Sequence, residues 1–386
     1  MDRRSFLLLG AGATASAGLV ASRLFDDGSS SRRGPSPSTS SSTAAPTTST
    51  TTRGPVDYGE LQAPDQLGLQ LARGFSARVV ATTGEIVPGT SYAWHSAPDG
   101  GACFAAPGGG WVYVSNSESV FGGAGALRFD TKGDVVDAYP ILSGTVANCA
   151  GGATPWGTWL SCEEHDAGQV WECDPFGRDD PVAHPGMGRF KHEAAACDPD
   201  GEVVYLTEDA PAGRLRRFRP DTWGDLSTGV LEAAVVVSEV RVEWTTETDS
   251  ATPFDGGEGA WYGDGRLWFT TKGDNRVWEL DVRARPNTLR VRYDASTAPH
   301  PYLSGVDNVV GTPAGDLFVA EDGGNMELVR ISRDDTVSPF LRVLGQDGSE
   351  VTGPAFSPDG TRLYFSSQRG TSGSGLTYEV RGPFAS

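Results

Sequence analysis

Several residue types are scarce in this 386-residue chain, and each scarcity closes off a class of chemistry. There are only five histidines, none at zinc-ligand spacing, which excludes a histidine-rich zinc site. No HExxH, no EF-hand loop and no Walker loop occurs. A GTSGSG stretch near the C-terminus lacks the strand–turn–helix setting of a hydrolase nucleophile elbow. Few windows keep a 3.6-residue apolar period free of Gly or Pro, so helices are not expected. Positive charge is short as well. The formal net charge of -19 argues against nucleic-acid partners and anionic lipid, and it suits a chain that holds cations.

The N-terminus, MDRRSFLLLGAGATASAGLVAS, pairs Arg3 and Arg4 with an apolar stretch too short and too rich in small residues for a good membrane span. It reads as a twin-arginine export signal over 1–26, with several possible cleavage points among Ala13, Ala15, Ala17 and Ala21. From 27 to 55 the chain is almost all Ser, Thr, Pro, Gly and Arg, a composition that cannot bury a core and reads as a disordered linker. The folded part is then 56–386. Export implies an oxidising compartment, yet the five cysteines, Cys103, Cys149, Cys162, Cys173 and Cys197, are odd in number. Cys162 and Cys173 are close enough in sequence to bridge a hairpin, and Cys149 is the one expected to stay unpaired.

Abundant glycine, aromatic and β-branched residues favour an all-β protein with many tight turns. Strand-like runs recur: WVYVSN at 111–116, TWLSCE at 158–163, VYLTED at 204–209, LWFTTK at 267–272, LFVAED at 317–322 and LYFSSQ at 363–368. Their starts lie 47, 46, 63, 50 and 46 residues apart, which suits one four-stranded blade per repeat and predicts a six-bladed β-propeller. Several runs end in acids: Glu163 with Glu164, Glu208 with Asp209, Glu321 with Asp322. In a propeller, equivalent strand ends converge near the axis. Carboxylates gathered there would raise one another's pKa or need cations between them, which points to a polynuclear metal site.

Four stretches could carry chemistry. In NCAGGATPWGTWLSCEE, Gly151 and Gly152 are expected to let the backbone bend tightly after Cys149. A thiolate suits iron or zinc, carboxylates suit calcium, magnesium or ferric iron, and Cys149 lies about one hairpin from Glu163 and Glu164. A buried structural cysteine fits the same residues. In GRFKHEAAACDPDG, Glu193 heads an apolar run; it is either a ligand or the partner of Arg189 or Lys191. In FDGGEGAWY, Glu258 sits between glycines, in a turn or facing a ligand. In SGVDNVVGTPAGDLFVAEDGG, Asp307 and Glu321 flank a turn and could ligate calcium.

Together these stretches, in this order over about residues 90–370, resemble the PhoX family of bacterial alkaline phosphatases. The resemblance implies a six-bladed propeller with ferric iron and calcium ions on its axis, exported in the folded state. It implies Cys149 as an iron ligand, Glu163 or Glu164 as a ligand from the same motif, Glu193 and Glu258 as metal-binding glutamates, and Asp307 and Glu321 as calcium ligands. Cys149, Glu193 and Glu258 would then be the catalytic set, with a metal-bridging oxygen attacking a phosphomonoester. The expected partners are a small phosphorylated substrate and the twin-arginine translocon, and the expected state is a monomer in the cell wall, periplasm or outside the cell. One departure is visible: where the family has RPEG, this chain has GGEG, so Gly256 replaces a phosphate-holding arginine. Arg189, Lys191, Lys272 or Arg276 would have to supply that charge. Two other functions fit such a propeller, a calcium-dependent lactonase or esterase and a non-catalytic binding protein.

Overall fold

The computed structural model describes residues 57–238 and 240–384. The expected signal peptide and linker lie outside the described residues. Their regular secondary structure is almost entirely strand, with two short 3-10 turns at Pro185–Met187 and Thr248–Ser250.

Each of the six recurring runs forms a strand: Trp111–Ser117, Trp159–Glu163, Val203–Glu208, Arg266–Thr271, Leu317–Glu321 and Arg362–Ser367. They are buried on both faces, which is why β-branched, aromatic and small residues fill them without a polar alternation. Each pairs antiparallel with the strand before it: Pro98–Ala105, Asn148–Ala153, His192–Asp198, Gly257–Gly263, Val306–Gly311 and Val351–Phe356. These preceding strands touch one another in chain order, and Val351–Phe356 returns to Pro98–Ala105, so they ring the axis.

The all-β propeller expected from the repeat is therefore present, but six separate four-stranded blades are not. Four sheets stand alone as blades: three of four strands and one of five. The remaining strands form a two-stranded pair, Gly213–Arg214 with Pro253–Phe254, and one nine-stranded sheet. Its cause is the strand Arg241–Thr245, which pairs with Asp225–Val236 on one side (Ala233 opposite Thr245) and with Asn287–Asp294 on the other (Val242 opposite Asn287). That strand occupies the single long interval of 63 residues in the repeat.

Cores form between neighbouring sheets. Leu160, Cys162 and Val170 pack against Ala195, Val204, Leu206 and Phe218, for example, while Trp159 and Cys173 pack the other way against Phe104, Val112 and Val114. Trp159 pairs across from Cys173, so Cys162, three residues further along, faces the opposite side of the sheet. The hairpin disulfide expected between Cys162 and Cys173 is absent for that reason, and all five cysteines are free thiols. The circle is closed by Ser76–Thr82, which pairs with Leu376–Arg381 in the sheet of Val351–Phe356.

Candidate metal centre

Each axial strand meets its partner through the same irregularity. Asn148 lies opposite Glu163 but Gly151 lies opposite Ser161, so three steps on the axial strand match two on its neighbour. The same offset occurs at Pro98–Gly101, His192–Ala195, Gly257–Ala260 and Val306–Val309. Such a bulge inserts one residue and re-aims its side chain. The residues that begin the bulges are Asp99, Cys149, Glu193, Glu258 and Asp307. In Val351–Phe356 the offset starts one residue later, and Thr352 there donates its hydroxyl to the carbonyl of Pro98 at 2.8 Å.

A second ring comes from the residue that follows each partner strand: Glu118, Glu164, Asp209, Lys272, Asp322 and Gln368. All six are held alike. Their backbone N–H groups donate, at 2.7–3.2 Å, to the carbonyls of Ala97, Ala147, Lys191, Gly256, Gly305 and Glu350, the first five of which lie two residues before Asp99, Cys149, Glu193, Glu258 and Asp307. The neighbouring sheet also fixes the bulges. Asn116 Nδ2 donates to the Cys149 carbonyl at 3.2 Å, Thr207 Oγ1 to that of Glu258, and Thr270 Oγ1 to that of Asp307 at 2.6 Å.

Members of the two rings, joined by Glu350, form four overlapping sets, and within each set the ligand atoms lie within 4.8 Å of one another: Asp99–Glu118–Cys149, Cys149–Glu164–Glu193, Glu193–Glu258–Asp307 and Asp307–Asp322–Glu350. Five of the seven site residues expected from sequence, Cys149, Glu164, Glu193, Glu258 and Asp307, are thus brought together. Glu163 and Glu321 are not. Each ends its strand one residue too early and turns to the other face. Glu163 accepts from the N–H groups of Val146 (3.0 Å) and Gln169 (3.2 Å), and Glu321 from those of Ser304 (2.7 Å) and Glu327 (3.0 Å). Sequence reading missed Asp99, Glu118 and Glu350 altogether, because each lies in or beside a turn-like stretch with no second acid next to it.

Gly151 and Gly152 also play a different part from the one expected. Neither has a positive φ. A Cβ on Gly152 would lie 1.9 Å from the Ala195 carbonyl oxygen, so the glycine lets adjacent axial strands approach.

The electrostatics follow from packing acids around a narrow axis. Burial, reinforced by Glu258 and Asp307, pushes the Glu193 carboxyl well above its usual range. Burial likewise raises Glu164 to about 8 and Glu350 to about 9, and raises Asp307 to about 7 although Lys272 pulls it down. Burial first and then Asp99 hold the Cys149 thiol up as well. Glu193 is fully buried and neither of its oxygens has a hydrogen-bond partner. A buried carboxyl with no partner is costly, and a cation between these groups would remove the cost and reverse the shifts. One thiol among carboxylates fits a borderline or hard cation such as iron, with oxygen-only sets beside it that fit calcium.

Among the described residues, positive charge enters from three. Lys272 Nζ lies 3.0 Å from both Glu258 Oε1 and Asp322 Oδ2. Arg369 pairs with Glu350 and lies 3.5 Å from Glu118 Oε2. Lys191 Nζ lies 3.7 Å from Glu164 Oε1, so it serves Glu164 and not Glu193. Arg276 is taken up by Asp274 and Asp294, and Arg189 donates to the Ala167 carbonyl.

A family model described as alkaline phosphatase PhoX matches residues 113–170 and 164–252, which include Glu118, Cys149, Glu164 and Glu193. No curated protein matches the chain in sequence. Among solved structures, Pseudomonas fluorescens PhoX in complex with vanadate, a transition state analogue, aligns at a TM-score of 0.71 and 16% identity, over 83% of this chain and 97% of that one. A protein of unknown function from Bacteroides thetaiotaomicron aligns at a TM-score of 0.53 and 10% identity, over 80% of this chain and 76% of that one. At these identities the structural likeness concerns the fold. Over residues 113–252 the chain is similar to the alkaline phosphatase PhoX family, and it shares a propeller fold with the Pseudomonas fluorescens protein.

Proposed function

We propose that this chain is an exported phosphomonoesterase that binds ferric iron and calcium on the propeller axis. The observation that carries the reading is the Cys149–Glu164–Glu193 set, with Glu193 buried and both its oxygens unpartnered. Cys149, Glu164 and Glu193 would hold the iron, and Glu193, Glu258 and Asp307 the neighbouring calcium. When bound, these ions supply Lewis acidity that activates the attacking oxygen and neutralises phosphoryl charge.

The protein's own groups do the rest. The bulges hold the acids in place through backbone contacts, so little reorganisation is needed when charge develops on the substrate. His192, at 0% exposure, is stacked on Phe190 with a pKa lowered to about 3 by burial, so it remains neutral and structural. Of the four cations considered for the place of the family arginine, Lys272 fits best. A Cβ built on Gly256 would lie 3.7 Å from Lys272 Cβ, so the ammonium arises beside the position the arginine would leave from. Lys272 would hold a phosphoryl oxygen as a point charge, without the two-pronged geometry of a guanidinium. Export through the twin-arginine route and a monomeric, extracytoplasmic working form belong to the same proposal.

The test is metal analysis of the purified protein together with hydrolysis of an aryl phosphate. Iron plus calcium with turnover is expected. Cys149→Ser should lose the iron and the activity while circular dichroism stays that of the folded propeller. Undiminished iron in that variant sinks the reading, and calcium without iron in the parent protein would favour a calcium-dependent hydrolase instead.

A further inference from the structure

The two rings are not charged evenly. Lys272 stands where its five equivalents are Glu118, Glu164, Asp209, Asp322 and Gln368. Its ammonium bridges Glu258 and Asp322, at 3.0 Å from each. Next round the axis, Arg369 pairs with Glu350 and reaches towards Glu118. Two of the three carboxylates in the Asp307–Asp322–Glu350 set are therefore already in contact with a cation that belongs to the protein.

The opposite side differs. In the Cys149–Glu164–Glu193 set, among the described residues, Glu164 meets a cation only at 3.7 Å, from Lys191, and Glu193 meets none. A metal ion entering there finds unneutralised ligands. One entering the Asp307–Asp322–Glu350 set would have to displace an ammonium and a guanidinium or lie against them, and like charges at such separations repel strongly in a partly desolvated site.

We propose that Lys272 and Arg369 are built-in cations that take the place of a metal ion at the Asp307–Asp322–Glu350 set, so that metal loading is confined to the Cys149 side of the axis. Lys272 also contacts Glu258, so in the Glu193–Glu258–Asp307 set one of three carboxylates meets a protein cation, against two of three in the Asp307–Asp322–Glu350 set, and Glu193 and Asp307 stay open to a metal ion there. The inference rests on the metal-binding reading above and adds to it where metal does not go. It also gives the centre an asymmetric face. The Lys272 and Arg369 side chains are 33% and 48% exposed, so both stay within reach of an anionic substrate.

The experiment uses the full chain loaded with iron and calcium, its metal content read by elemental analysis and its calcium sites by calorimetric titration. The double substitution Lys272→Met with Arg369→Met should gain about one calcium ion per chain, since it restores an all-oxygen site. Lys272→Arg should keep the parent content. Asp322→Asn in the parent background, which leaves both cations in place, should not lower it. Unchanged metal content in a folded double variant overturns the inference, as does loss of an ion in Asp322→Asn, which stands even if the double variant does not fold. A parent protein that holds no metal defeats the proposed function, and this inference with it. Metal in the parent with no gain in the double variant defeats this inference alone.

Discussion

At the scale of single residues, the decisive fact is which of two neighbouring acids faces the axis. Successive side chains on a strand point to opposite faces, so in Glu163–Glu164 and Glu321–Asp322 one member of each pair reaches the centre and the other cannot. The pairs were legible in the sequence. Which member turned inward was not, because it depends on where each strand stops pairing with its axial neighbour. The structure puts that point after Glu163 and Glu321. The two glutamates should therefore behave oppositely on substitution. Glu164→Gln should reduce bound iron and aryl phosphatase activity, with little change in the stability of the metal-free protein, where burial already favours the uncharged carboxyl. Glu163→Gln should keep the metal, but weaken the two hydrogen bonds from Val146 and Gln169 and cost about 1–3 kcal/mol in urea unfolding. Loss of iron in Glu163→Gln and not in Glu164→Gln would reverse the assignment.

At the scale of elements, the repeated bulge explains both what could be read and what could not. The recurring run of apolar residues marks the partner strand, and its near-constant spacing revealed the propeller. The axial strands carry the first ring of ligands, yet they are too rich in Gly and Ala to show as strands by pattern. APDGGA around Asp99 reads as a turn, and so does DGSEV around Glu350. A search for one acid or cysteine two residues after the carbonyl that each run's end must reach would have found Asp99 with the others, but that alignment needs the backbone pairing. The small residues have their own cause, the closeness of the axial strands. Gly152→Ala should therefore cost about 1–3 kcal/mol and disturb metal binding, because the added methyl meets the Ala195 backbone. Gly348 has open space around it and no positive φ, so Gly348→Ala should leave the unfolding midpoint nearly unchanged. Equal effects at the two positions would remove close strand approach as the reason for the glycines.

At the scale of the whole molecule, the propeller concentrates buried carboxyls where its sheets converge, and the chain as a whole is strongly acidic. Without cations such an arrangement makes stability depend on pH in a definite direction. Glu164 rises from 4.5 to about 8 in the folded state and Asp307 from 3.8 to about 7. Between these limits the folded chain holds protons that the unfolded chain has released. Stability is then fully present below the unfolded values and falls as pH rises through the folded ones. The metal-free protein should accordingly lose thermal stability from about pH 5 to pH 8. Cations in the centre replace those protons, so the loaded protein should show a flatter profile and a higher midpoint, with the gain largest at the alkaline end. Thermal melts across that range, with and without a chelator, measure both slopes. A chelated protein whose midpoint rises with pH over this window would show that the axial acids are not the groups that the cations relieve.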